Sequence, residues 1–393
     1  MPDHLLKRTS ESSASREAGL QPLRFEDLNG FGQADLQRAW RAFRLSCASM
    51  VARQPELRPG LAPSEAMVEI GRRALGENED LNSDQVRGFL QRTFEPFLIV
   101  PAATCDEVGS LAPGIGSTFF TAYYRPEVQA SREPTGEYRE PILGRPEDLV
   151  SFHGRTPDEL PRGFTAGRRG WNGGHEVYPS RKQIDGGALG RAAHPLAYVS
   201  DAIEAFMIQV QGSARLVFGN GTAADLTYAG RNGHPYVSIG KALIEAGEIS
   251  ANDMSLDRLK AWVRANGQEL GERGRELLHL NPSFIFFSMT PVAGDTSGPI
   301  GAAGLPLSAH ASLAVDRMLW PYGLPFWIET EIVWRDTAVE PFRQLMIAQD
   351  TGSAIVGPAR ADLYFGSGER AGRFAGGIRH GGRMIVLLPS PRS

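Results

Sequence analysis

The feature that most restricts the fold of this chain is its punctuation. Short runs of strand-forming residues are separated by glycine and proline turns, and no regular strand–helix alternation joins them. STFFTAYY, FMIQVQGSARLVF and ADLTYAG are such runs in the middle of the chain. PSFIFFS, LPFWIETEIVW, RQLMIAQD, ADLYFG and RMIVLLP follow toward its end. The 45 glycines and 27 prolines supply the turns between them. Interleaved short strands of this kind point to closed barrels and not to a doubly wound parallel sheet. The expected class is mainly β with helices, an α+β chain.

The helices are expected in two places, the first a helical region over roughly 33–95. Leu36, Trp40, Phe43, Cys47 and Met50 step by four and three, which places them on one face of an amphipathic helix. Ser83 is read as the cap of a second helix whose buried stripe is Val86, Phe89, Leu90 and Phe94. Later, Ser255 caps SLDRLKAWVRANG, and QELGERGRELLHLN continues as helix until Pro282 stops it. Residues 1–24 are polar and serine-rich and read as a disordered leader. Residues 126–195, rich in Gly, Pro, Arg and Asp, read as a long polar stretch with few strands, of the kind that often serves function.

Composition narrows the partners. With 41 Lys+Arg against 45 Asp+Glu the net charge is -4, so nothing in it calls for nucleic acid or an anionic membrane. No stretch approaches about 18 apolar residues, so no transmembrane segment is expected. The leader shows no apolar core of a signal peptide and no lipid-attachment cysteine. Cys47 and Cys105 lack C-x-x-C spacing and neighbouring histidines. A cysteine zinc site is not expected on that pattern, while pairing of the two stays open. P-loop, H-E-x-x-H and G-x-S-x-G signatures are missing. His175, His194 and His234 read as satisfied or solvated loop residues.

The strongest chemical signal is AQDTGSAIVGPARADLYFGSG. Asp350 ends an apolar run and Asp362 begins another. Two adjacent strands could bring both carboxylates to one end of a barrel, where Gly352 and its small neighbours leave room for a bulky ligand. Equally, Asp350 could make an Asx-turn and Asp362 could cap a strand. Tyr123, Tyr124, Trp171, Tyr228 and Tyr236 lie in or beside glycine-rich loops, where aromatic faces can stack on sugar rings. Gln209 and Gln211 alternate with apolar residues and are read as one face of a strand, beside Gly212 and Ser213.

These runs carry a resemblance. FMIQVQGSARLVF, YAGRNGHPYVSIGKALIEAG, NPSFIFF, and GLPLSAHASLAVDRMLWPYGLPFWIE leading to RQLMIAQDTGSAIVGPARADLYFGSG resemble the membrane-bound lytic murein transglycosylase A family. The likeness runs from about Phe119 to the C-terminus. It implies two β-barrel domains with a groove between them. The larger is a helix-decorated double-psi β-barrel built from 25–125 and 291–393, and the smaller barrel is inserted as 126–290. The family's three hallmark aspartates fall on Asp316, Asp350 and Asp362, and its catalytic acid falls on Asp362. Glycan contacts are expected from Thr121, Tyr123, Tyr124, Gln211, Gly212, Ser213, Asn232, Tyr236, Asp316 and Gly352. The chain departs from the family pattern at Ala122, which stands for a glycine, and at Ser353, which does the same. The spacing from Asp350 to Asp362 is about one residue longer.

The resemblance further implies cleavage of the β-1,4 bond between N-acetylmuramic acid and N-acetylglucosamine of peptidoglycan without water. No metal or other cofactor is needed, and the partners are glycan strands bound by a monomer. That substrate places the enzyme in the periplasm or cell envelope. An export signal missing from this version of the sequence would reconcile the location with the leader. A hydrolytic endoglycosidase and a non-catalytic peptidoglycan-binding protein are the alternatives.

Overall fold

A computed structural model describes residues 18–101, 118–152, 156–171, 173–251, 253–292 and 298–391. The chain divides into two compact units. One comprises the chain up to Tyr124, Ile300–Gly366 and Arg370–Ser393; the other comprises Arg125–Pro299 and Ser367–Glu369.

The first unit is built on a nine-stranded mixed sheet. Its order is Ala18–Pro22, Phe94–Pro101, Arg383–Pro389, Pro325–Ile332, Glu340–Asp350, Ser312–Ala314, Arg360–Ser367, Phe119–Arg125 and Arg379–His380. Ser312–Ala314 runs parallel to Glu340–Asp350, whereas it is antiparallel to Arg360–Ser367, and the pairings of Phe94–Pro101 with both its neighbours, of Pro325–Ile332 with both its neighbours and of Phe119–Arg125 with Arg379–His380 are antiparallel. Helix Gln37–Val51 buries Trp40, Phe43 and Cys47, as its periodicity predicts. Trp40 and Phe43 meet Phe89 of helix Ser83–Thr93, and Phe43 also meets Phe94 edge-on at 5.9 Å. One buried polar joint locks this helix to the sheet. Gln349 Nε2 donates to the Ala42 carbonyl and to Ser46 Oγ, and Ser312 Oγ donates to Gln349 Oε1. Because Gln349 is held, the residue that follows it in the strand is held too.

Two expectations for this unit are corrected. Residues 18–22 of the supposed leader form a strand paired with Phe97–Pro101; the rest of the leader, 1–17, lies outside the described residues. Alternation is weak there because an edge strand needs only one partner. The cap of helix Ser83–Thr93 is Asn82, in a reciprocal capping box with Gln85. Ser83 Oγ instead accepts from the Leu36 amide at the start of the first helix. Helix Glu65–Gly76, capped by Ser64, falls within the helical region expected over roughly 33–95.

The second unit carries a four-stranded sheet in the order Ile285–Pro291, Ala223–Arg231, Ser213–Phe218, Glu127–Ala130, with a two-stranded and a three-stranded sheet beside it. Here the run FMIQVQGSARLVF is not one strand. Ala202–Gln211 is a helix, capped by Asp201, whose carboxylate accepts from the Glu204 amide. Gly212 ends it in the left-handed region at φ 76°, and the strand starts at Ser213. Only a glycine adopts that turn without steric cost. Gln209 is therefore a buried helical residue, accepting from Arg181 Nη2 and the Ile285 amide, and does not share a strand face with Gln211. The stretch 126–195 is also richer in structure than its composition suggests, with strands Glu127–Ala130, Glu140–Leu143, Leu149–Ser151, Ala166–Arg169 and Pro195–Val199. Ser255 caps Leu256–Ala265 as expected, whereas the next helix is confined to Arg273–His279. Cys105 falls outside the described residues; Cys47 is a buried free thiol.

Candidate active site

Sheet register brings the two sequence-predicted carboxylates to one place. Ala314 pairs on one side with Asp350 and on the other with Asp362. The two aspartates thus flank a single residue across three strands, with backbones about 10 Å apart at the usual strand spacing. Thr121 and Tyr123 alternate onto one face of the next strand, and each reaches one carboxylate. Thr121 Oγ1 donates to Asp362 Oδ1 at 2.5 Å, and Tyr123 OH donates to Asp350 Oδ2 at 2.8 Å. These contacts put both carboxylates on the same face of the sheet.

The two sites differ chemically. Asp350 accepts three hydrogen bonds. The Ala302 and Thr351 amides reach Oδ1 at 2.9 and 2.8 Å, and Tyr123 takes Oδ2. The contact with Thr351 is to the next residue's amide, one residue short of the Asx-turn the sequence allowed. The Tyr123 hydroxyl is held far above its ordinary range, first by burial and then by the Asp350 charge, so it remains a donor. Asp362 sits beside an apolar cluster of Tyr123, Leu307, Ala314, Ile355 and Tyr364, with the two tyrosine rings 5.3 Å apart. Burial raises its pKa; the Arg360 guanidinium and the Thr121 hydrogen bond oppose that, and the Asp350 charge adds to the rise. The net direction is upward, which favours the protonated acid.

Asp316 is corrected from glycan contact to fastener. It is 4% exposed, and its carboxylate accepts from the Met318 amide at 3.0 Å and the Gly357 amide at 2.9 Å. With Thr351 Oγ1 donating to the Val315 carbonyl and Trp320 Nε1 to the Pro358 carbonyl, it ties down the 351–358 turn. Gly352 belongs to that turn for packing reasons, since a Cβ there would stand 2.9 Å from Ile355 Cγ1. Tyr124 faces away from Thr121 and Tyr123. It is buried, and a Cβ on Gly372 would lie 2.7 Å from its ring.

In the second unit, Asn232 is a further correction. It is fully buried, donates to the Pro179 and Pro282 carbonyls, and accepts from the Phe284 amide, so its amide is spent on the fold. Gly212 is the helix end already described, and Ser213 is buried at the start of its strand. Gln211 is half-buried and Tyr236 is 39% exposed. Arg360 was overlooked in the sequence. Its Nη2 donates to Thr121 Oγ1 at 2.7 Å, and its guanidinium lies over the Phe119 ring at 5.3 Å. Its place two residues before Asp362, on the same strand face, was the available signal.

Comparison with known proteins bears on the family and the fold. Residues 119–288 match the MltA specific insert domain and residues 311–388 match the 3D domain. Membrane-bound lytic murein transglycosylase A of Escherichia coli K12 is 35% identical over 286 residues, covering 71% of this chain and 68% of the relative. The chain belongs to the membrane-bound lytic murein transglycosylase A family. The Vibrio cholerae member is 35% identical over 276 residues, covering 69% of this chain and 66% of its own. Among solved structures, the family member from Agrobacterium tumefaciens superposes with a TM-score of 0.79 at 32% identity, covering 94% of this chain and 98% of that one. An E. coli family structure with bound chitohexaose gives 0.61 at 27% identity, covering 96% and 93%. Family and fold class are thus as the motifs implied. Among the described residues no helix is long and apolar enough to cross a membrane.

Proposed function

We propose that this chain cleaves the β-1,4 bond between N-acetylmuramic acid and N-acetylglucosamine in peptidoglycan by an intramolecular transfer, with Asp362 as acid and then base. The glycosidic oxygen leaves only when protonated, and Asp362 is the carboxyl whose surroundings favour the proton. As the C1–O bond breaks, Asp362 gives its proton to the departing N-acetylglucosamine oxygen. The muramic C6 hydroxyl then bonds to C1, and its proton returns to Asp362. The product is a 1,6-anhydro ring, and no water is consumed.

The observation that supports one acid over a pair is the state of Asp350. Both its oxygens are occupied by donors, two on Oδ1 and one on Oδ2. A hydrolase of the two-carboxylate type needs that second group to activate water or to attack the sugar. Asp350 acts instead as a nearby negative charge that adds to the effect of burial in raising the pKa of Asp362. On the second unit, Tyr236 and Gln211 are the partly exposed residues through which a glycan strand would be held. The enzyme works as a monomer in the periplasm, where its substrate lies.

Asp362→Asn decides the matter. Incubated with murein and followed by mass spectrometry of the products, it is expected to lose about 10²–10⁴-fold in anhydro-muropeptide release while remaining folded. Retention of near-normal turnover would remove Asp362 from the chemistry. Products heavier by one water would favour the hydrolase.

A further inference from the structure

The carboxyl of Asp362 has two oxygens, and the reaction above needs to know which of them carries the proton. The answer lies in the contact behind it. A hydroxyl offers one donor and accepts through its lone pairs, whereas a guanidinium only donates. Arg360 Nη2 and Thr121 Oγ1 are 2.7 Å apart, so Thr121 must accept there. Its single hydrogen is then committed to its other close neighbour, Asp362 Oδ1, at 2.5 Å. Arg360 is itself pinned, donating through Nη1 to the Ala361 carbonyl and lying over the Phe119 ring.

We propose that Arg360 is a positioning residue for the proton transfer: by fixing the direction of the Thr121 hydroxyl it keeps Asp362 Oδ1 an acceptor and makes Oδ2 the oxygen that gives and takes the proton. The proposal rests on Asp362 being the acid. The other groups that bear on this carboxyl are Asp350 from the Glu340–Asp350 strand, Tyr123 from the Phe119–Arg125 strand, and Tyr364 on its own strand. Arg379 stands opposite Thr121 on the edge strand Arg379–His380. Of the cations, Arg360 is the one that touches the relay. It also has the largest effect opposing the upward shift of Asp362, and burial in turn lowers its own pKa.

Four variants test this: Arg360→Met, Arg360→Lys, Thr121→Val, and Arg360→Met with Thr121→Val. Two readouts are used. One is the pH–rate profile on murein. The other is the infrared titration of the Asp362 carboxyl in the free protein, assigned by its loss in Asp362→Asn. In Arg360→Met and Thr121→Val the Asp362 pKa and the alkaline limb both move up, and kcat falls at least about tenfold with KM within about twofold. Arg360→Lys, a cation that also only donates, stays nearer wild type, and the double variant shifts no further than the larger single one. An unmoved carboxyl titration in both single variants overturns the proposal, as does a double variant whose shift is the sum of the two. If Asp362→Asn keeps its activity, the acid assignment falls instead. If Asp362→Asn is inert while Arg360→Met leaves the limb in place, only the role of Arg360 falls.

Discussion

Asp362, the proposed acid, shows how one buried carboxyl carries a stability cost. Its folded pKa lies above the unfolded value of about 3.9, so the folded state binds the proton more tightly than the unfolded chain does. Below about pH 3.9 both states are protonated and there is no penalty. Above it the unfolded chain ionises first, and stability is lost until the pH passes the folded value. Replacing the carboxyl with a neutral amide removes that loss. Asp362→Asn is expected to raise Tm at pH 7–8 and to leave it unchanged below about pH 3.5, as followed by thermal unfolding across pH. A variant that melts lower than wild type at neutral pH would show that the site does not penalise the charge. The same residue scale explains Asp316. Its carboxylate oxygens are spent on the Met318 and Gly357 amides, which gives it a structural task.

At the scale of elements, the second unit depends on polar clamps buried between strands. Asn232 joins three segments through the Pro179 and Pro282 carbonyls and the Phe284 amide. Arg181 does similar work, donating to the Asn281 and Ser283 carbonyls and to Gln209 while lying over Phe206 and Phe284. Removing one such group strands several partners without water. Asn232→Ala is expected to cost about 3 kcal/mol in urea unfolding, since each unsatisfied buried group costs about 1–3 kcal/mol. Its activity per folded molecule on murein should stay close to wild type. A selective rise in KM with unchanged stability would restore Asn232 to the glycan-binding role the family motif implied. The helix Ala202–Gln211 makes a related point. Its cap Asp201 and its end Gly212 were both visible, yet β-rich flanking sequence pulled the expectation toward a strand.

Considered as a whole, the first unit builds the face that carries Asp350 and Asp362 from sequence segments that precede and follow the second unit in the chain. Thr121 and Asp362 are 241 residues apart, and Tyr123 and Asp350 are 227 apart. Such contacts form only when the sheet order is complete, so the core beneath them should open only with the unit. Cys47 reports on that core. It is fully buried, and burial pushes its thiol up to about 12. Both effects suppress the reactive thiolate. Alkylation of the Cys47 peptide, followed by mass spectrometry, is expected to be negligible under native conditions and to rise along the unfolding curve in urea. Fast labelling in buffer would mean that the helix Gln37–Val51 opens locally.

Some of this was decided within short stretches of chain. The stripe Trp40, Phe43 and Cys47, the cap Ser255, and the apolar runs that became strands are set by neighbours three or four residues away in a helix and by alternation in a strand. Periodicity alone shows them. The pair Asp350 and Asp362 was legible because the small-residue turn between them is local and its motif is distinctive. The tertiary structure decided the rest. It surrounded Asp350 with Tyr123 and the Ala302 amide, turned Asp316 and Asn232 into fasteners, and set Arg360 behind Thr121. Each outcome depends on which strands become neighbours across more than 40 residues of sequence. Side-chain identity cannot reveal that, because a donor is spent or available only according to what the finished sheet places beside it.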